Sequence, residues 1–166
     1  GTLNLAGYPN PGNSDVVRRA AAVLETEASG FSHQPTAYIR LADWVSPGQL
    51  AAAPLTALAD GAPVQLIALD GRSDRFPLEL SQSSASAYQQ DFVLRARPLL
   101  GKPLAPRTRY AVVVTTALTY ADGAAVGRSV LISQAMAGQG PLADDLAPLR
   151  ERLQEYAIDP ASVAAA

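Results

Sequence analysis

The sharpest chemical signal in this chain is Gly30-Phe31-Ser32-His33-Gln34. It approaches the G-x-S-x-G elbow, where a tight strand-to-helix turn exposes a serine hydroxyl for acyl transfer. Two features depart from that pattern. Gln34 stands where the second glycine belongs, and Pro35 opposes a helix start of the usual kind. Ser32 is therefore the candidate nucleophile, set in a segment that reads as leading into a strand. His33 is the only histidine. It would have to act as base for its own neighbour, a spacing that rarely gives triad geometry, so it reads as a loop histidine. One histidine and no cysteine exclude a two-histidine zinc protease, a cysteine zinc site, a thiol nucleophile and disulfides.

Other stretches carry weaker chemistry. Asp70-Gly71-Arg72-Ser73-Asp74 places two carboxylates in one short loop, the oxygen chemistry that calcium takes. The spacing is not that of an EF-hand, and Arg72 and Arg75 stand beside the acids, so a hairpin turn is the preferred reading. Gly138-Gln139-Gly140-Pro141-Leu142-Ala143 formally matches the dinucleotide fingerprint. That site needs backbone N–H groups on the pyrophosphate inside a βαβ unit. Pro141 removes one N–H and no βαβ pattern surrounds it, so the stretch reads as a linker and no cofactor is expected. Asp and Glu number 15, and nothing in the sequence selects a pair for glycoside hydrolysis. Trp44 and Tyr38, with Tyr88, Tyr110 and Tyr120, are the aromatics that could stack on a sugar. Trp44, beside a turn, is the leading candidate for an exposed ring, while strand tyrosines more often join a core or sheet face.

The whole chain limits the classes available. Its 166 residues suit one domain with a real core. A hydrophobic fraction of 48%, with 13 prolines and 12 glycines, describes a folded, turn-rich domain. The net charge is −2 and the arginines are scattered, so no basic stripe exists for nucleic acid. Arg95/Arg97 and Arg107/Arg109 recur at two-residue spacing, which puts each pair on one face of an extended segment. A solvated sheet face is the default reading. No apolar run approaches the ~18 residues of a membrane span. The opening Gly1-Thr2-Leu3, without methionine, fits a mature form or an excised piece.

The elements that must position these groups follow from periodicity. Asn13 or Ser14 is expected to cap a helix from Asp15 to about Ala28, with Gly30 as its stop. Thr36 to Ala42 alternates Ala37, Ile39 and Leu41 against Tyr38 and Arg40, a half-buried strand. Gln49 to Asp60 reads as a helical turn or two broken at Pro54. Val64 to Leu69 and Arg75 to Leu80 form an expected hairpin, followed by a polar loop over Ser81 to Gln90. Asp91 to Arg97 is a strand with Phe92, Leu94 and Ala96 on one face. Arg109 to Leu118 is another, and Val112-Val113-Val114 marks it as central, covered on both faces. Ser129 to Ser133 is expected as a short strand. Leu142, Leu146, Leu149, Leu153 and Tyr156 form a helical stripe, with Asp145 as cap and a surface to cover. Val163 to Ala166 reads as a strand cut short.

Several of these stretches also carry a resemblance. Gly1-Thr2-Leu3-Asn4-Leu5 and the later Gly30-Phe31-Ser32 resemble the N-terminal domain of bacterial virulence-factor-type lipases. Tyr38-Ile39-Arg40-Leu41 and Val64-Gln65-Leu66-Ile67 before Asp70-Gly71 fit the same order. Pro103-Leu104-Ala105-Pro106-Arg107-Thr108-Arg109-Tyr110, running into Ala111-Val112-Val113-Val114-Thr115, is similar to a strand of bacterial Ig-like domains in such proteins. Glu25 to Ser29 departs from the pattern. The resemblance implies a mainly β, Ig-like antiparallel β-sandwich with an N-terminal and a C-terminal helix. One domain, 1–166, would comprise a loop and helix (1–30), a sandwich core (31–135) and a helical connector (136–166) towards a missing strand. It implies a non-catalytic module that packs on or spaces an α/β-hydrolase domain, covalently or tightly associated, with that partner doing any lipase or esterase chemistry. The location implied is exported: periplasmic, extracellular or an outer-membrane lipoprotein. The alternatives are a stand-alone module binding a glycan or partner through Trp44 and Tyr38, and an autonomous serine hydrolase.

Overall fold

The computed structural model describes residues 5, 8, 10–28, 32–71, 74–87 and 90–166. Gly1 to Asn4, Gly30, Phe31, Arg72 and Tyr88, all named above, lie outside the described residues.

Among the described residues, seven strands form two antiparallel sheets. β1 (Ala37–Arg40), β5 (Val93–Pro98) and β4 (Leu78–Ser83) make one sheet in the order β1-β5-β4. β3 (Arg75–Phe76), β2 (Val64–Ala68), β6 (Tyr110–Thr115) and β7 (Val163–Ala165) make the other in the order β3-β2-β6-β7. Four α-helices accompany them: α1 (Asp15–Glu27), α2 (Pro47–Thr56), α3 (Val130–Met136) and α4 (Ala147–Leu153). The architecture is a mainly β, sandwich-like fold with a helical layer on one side.

Alternation in the strands creates two cores. Leu78, Leu80, Leu94 and Ala96 of the first sheet meet Val64, Leu66, Phe76 and Val114 of the second. Ala53 and Ala57, from α2 and its C-terminus, join that cluster, and Leu50 packs against it. The opposite face of the second sheet presents Ile67 and Val113 to Ile132 and Met136 of α3 and to Leu149 and Leu153 of α4. β2 is therefore buried along its whole length. The continuous apolar run in β6 has the same cause: Val112 faces one core and Val113 the other.

Pro77 explains the break in the expected hairpin. β3 pairs with β2 only at Leu66↔Phe76 and Ile67↔Arg75. Beyond Pro77 the chain leaves that sheet and joins the other as β4, which pairs with β5 over six residues, Leu78↔Pro98 to Ser83↔Val93. One apolar alternation from Phe76 to Leu80 thus serves both sheets. β4 also runs on to Ser83, into a stretch expected as loop.

Other expectations are corrected by the structure. Pro54 does not break α2; the helix continues through it. Ser129 to Ser133 is not a strand but the start of α3, where Ser129 Oγ caps the helix by accepting from Ile132 N at 3.1 Å. The last helix begins after Leu146, not at Asp145, with Pro148 held in its first turn. Ser14 occupies the N-cap of α1 without a side-chain cap bond. Asn10 holds Ser14 instead, accepting from its N–H at 2.9 Å and donating to its carbonyl at 3.0 Å. Phe92 does not share the inward face of Leu94, because its φ of +62° turns it out of the strand register.

Two side chains fasten the helical layer to the sheet. The Tyr156 hydroxyl accepts from Ala68 N at 3.2 Å and lies 3.1 Å from the Ala68 carbonyl. It continues the β2 ladder where β3 has ended. Arg75 donates to the Tyr156 carbonyl at 2.6 Å and pairs with Asp60 at 2.5 Å. Arg150 donates to the carbonyls of Ala135 and Ala143 at 2.8 and 2.6 Å, joining α4 to the end of α3.

Candidate functional site

The Ser32 hydroxyl accepts from Gln34 N at 3.1 Å, a local turn contact. His33 Nδ1 lies 2.9 Å from the Leu104 carbonyl, and the His33 carbonyl accepts from Leu104 N at 2.9 Å. That pair of contacts ties the connector before β1 to the proline-punctuated lead-in to β6. Among the described contacts, His33 joins the two loops, Ser32 bonds only within its own turn, no hydrogen bond joins Ser32 to His33, and the segment enters a strand.

The Gly138–Ala143 stretch has a structural role as well. Gly138, at φ +76°, donates to the Ala135 carbonyl at 3.0 Å, and Gln139 N donates to Gln134 O at 2.8 Å. This is a Schellman cap on α3, which uses the N–H groups a phosphate would need. A Cβ on Gly140 would lie 3.0 Å from Gln134 Oε1, so the second glycine follows from close packing.

Asp70 accepts three bonds under 3.2 Å from Arg109: N at 2.7 Å, Nε at 3.1 Å and Nη2 at 2.7 Å. The Arg109 side-chain bonds, then its backbone bond, hold the Asp70 carboxyl below its ordinary range. The Asp70 carboxylate in turn raises the Arg109 guanidinium. This pair locks the end of β2 to the start of β6. Among the described residues, Asp70 and Asp74 belong to no group of three or more acidic, histidine or cysteine side chains able to hold a metal.

The two aromatic candidates occupy different settings. Trp44 follows β1 and packs edge-on against Phe92, with ring centroids 5.3 Å apart. It is 36% exposed. Tyr38 projects from β1 and is 65% exposed. Its face is the outer face of the three-stranded sheet, turned away from the inter-sheet core. Register defines the neighbours there. Tyr38 stands opposite Arg95, which stands opposite Ser81. The next row is Arg40, Val93 and Ser83, and the row on the other side pairs Arg97 with Glu79. Arg97 Nη2 and Nε both donate to Glu79 Oε2, at 2.8 and 3.1 Å. Arg40 and Arg95 pair with no carboxylate among the described residues, and Arg95 Nε is buried without a hydrogen-bond partner. This face therefore carries three arginines against one glutamate, around an exposed ring.

Sequence reasoning placed Tyr38 with Arg40, and Arg95 with Arg97, by their alternation. It did not bring the two pairs together, because the β1–β5 register is a tertiary choice. Neither the family models nor the curated proteins compared with this chain match it. Among the described residues, no helix is long and apolar enough to cross a membrane.

Proposed function

We propose that this chain is a non-catalytic Ig-like accessory module that packs on, or spaces, a lipase- or esterase-like hydrolase domain in an exported bacterial protein. The observation that carries the reading is α1. Val16, Val23 and Leu24 on this helix are exposed, and Leu5 and Tyr8 line an apolar groove with its stripe. The helix buries none of its residues, whereas α3 and α4 bury theirs against the second sheet. An amphipathic helix left open in this way suits a module whose neighbour covers it. The sandwich-like fold and the ordered likeness of its strand segments to Ig-like domains of lipase-type proteins supply the rest. The module's export, and its partner hydrolase, follow from that likeness.

The test is an esterase assay on this chain with short p-nitrophenyl esters. No turnover above the uncatalysed rate is expected. Turnover that Ser32→Ala abolishes overturns the reading in favour of an autonomous serine hydrolase.

A second reading, a module binding a glycan or a partner surface, is favoured by Tyr38. So large a ring at 65% exposure, on a sheet face with two arginines that pair with no carboxylate among the described residues, is an unusual use of surface.

A further inference from the structure

We infer that the outer face of the three-stranded sheet binds a carboxylate-bearing polysaccharide, a chain of uronic acid type. This deepens the second reading and rests on it. The argument begins with charge. Arg40 is the diagonal neighbour of Arg95 across the β1–β5 register, at a Cα separation of roughly 7–8 Å. Arg97 is two residues beyond Arg95 on the same strand face, at ~6.7 Å. Glu79 answers Arg97. Nothing described answers the other two. At this diagonal spacing their repulsion is weak and salt-screened, so what marks the face is two guanidinium groups with no described carboxylate between them.

The geometry selects the ligand. A guanidinium is a planar fork that grips a carboxylate through two parallel N–H bonds. Arg40 and Arg95 flank Tyr38 and so place two such forks beside one ring. A sugar offers a flat apolar face for the ring and, when it is a uronate, a carboxylate at its edge. Ser81, in the same row, offers a hydroxyl to the sugar hydroxyls. A protein interface of useful size needs an apolar centre of several side chains, and this face exposes one ring.

The probe is oligogalacturonate, titrated into the protein by calorimetry and by amide shift mapping. Methyl-esterified oligogalacturonate has the same backbone without the charge, and a polyglutamate peptide has the charge without the sugar. Expected results are saturable binding of the acid, shifts confined to β1, β4 and β5, and weakening as salt is raised. The ester should bind at least about tenfold more weakly. Arg40→Ala, Arg95→Ala and Tyr38→Ala should each lower affinity severalfold with an unchanged circular dichroism spectrum. Arg95→Lys should restore only part of it. Equal binding of the acid and its ester, or full affinity in both Arg40→Ala and Tyr38→Ala, overturns the proposal. Equal or tighter binding of polyglutamate overturns it too and assigns the face to an acidic protein. Binding of neutral glycan alone sinks the uronate inference but leaves the second reading standing. No binding of any probe at millimolar concentration overturns the uronate inference and leaves the second reading to be tested on other glycans and partners.

Discussion

Single side chains do two kinds of work in this fold. Tyr156 is a structural phenol: its ring is buried and its hydroxyl occupies a position in the β2 ladder. Arg75 and Arg152 place their guanidinium carbons 5.9 and 5.8 Å from its ring centroid. Tyr156→Phe keeps the packing but leaves the Ala68 N–H without its acceptor in a buried site. The expected loss is about 1–3 kcal/mol, read from the midpoint of urea unfolding. Asp70 works through charge on the surface. Its carboxyl titrates lower when folded than when unfolded, because Arg109 favours the ionised form. Such a group contributes stability above its unfolded pKa and loses it as pH falls through the folded value. Asp70→Asn should therefore lower the urea midpoint at neutral pH. The difference from the parent should shrink once pH drops below the ordinary carboxylate range, and high salt should reduce it at any pH. A gap that widens in acid contradicts this account.

At the level of elements, the contrast between α1 and α4 is the most informative. Both are amphipathic in sequence. α4 buries Leu149 and Leu153 under the second sheet, and α1 buries nothing. Leu149→Ala should cost ~2–5 kcal/mol, because its side chain leaves a cavity among Ile67, Val113 and Tyr156. Val23→Ala on α1 should stay within about 0.5 kcal/mol in the isolated domain. Thermal unfolding of the two variants side by side checks both. A large loss for Val23→Ala shows that α1 docks on the domain itself and removes the main support for a covering neighbour. Pro77 is the other decisive element-level device. It ends β3 after two residues and lets one continuous apolar alternation feed two sheets.

For the whole molecule, the second sheet is the organising layer. Its β2 and β6 face sheet on one side and helix on the other, so most large buried side chains attach to it directly. The three-stranded sheet packs its inner face against the second sheet. Among the described residues its outer face is polar apart from Tyr38 and the buried Val93, and there the strand register gathers Tyr38, Arg40 and Arg95. The stripe of α1, exposed at Val16, Val23 and Leu24 among the described residues, is a second surface, apolar where the first is cationic. These two surfaces support the two functional readings separately, which is why their tests can fail independently.

The sequence by itself determined the local alternatives. The alternation of β1, the continuous apolar runs of β2 and β6, the helix of α1 and the leucine stripe of α4 were legible because periodicity and apolar run length are properties of the residues alone. So was the division of β1 into an inward and an outward face, Tyr38 and Arg40 against Ile39 and Leu41. Tertiary structure decided what those faces meet. Ser129 to Ser133 is β-branched and apolar enough for a strand. It became the start of α3 because the second sheet needed a helical cover and Ser129 could cap one. The glycines Gly138 and Gly140 fit a phosphate loop in sequence and close a helix in space. The arginine and tyrosine row on the outer face depended on register, a pairing between segments more than fifty residues apart. No local propensity encodes that pairing; burial of Ile39 and Leu94 on the other face sets it.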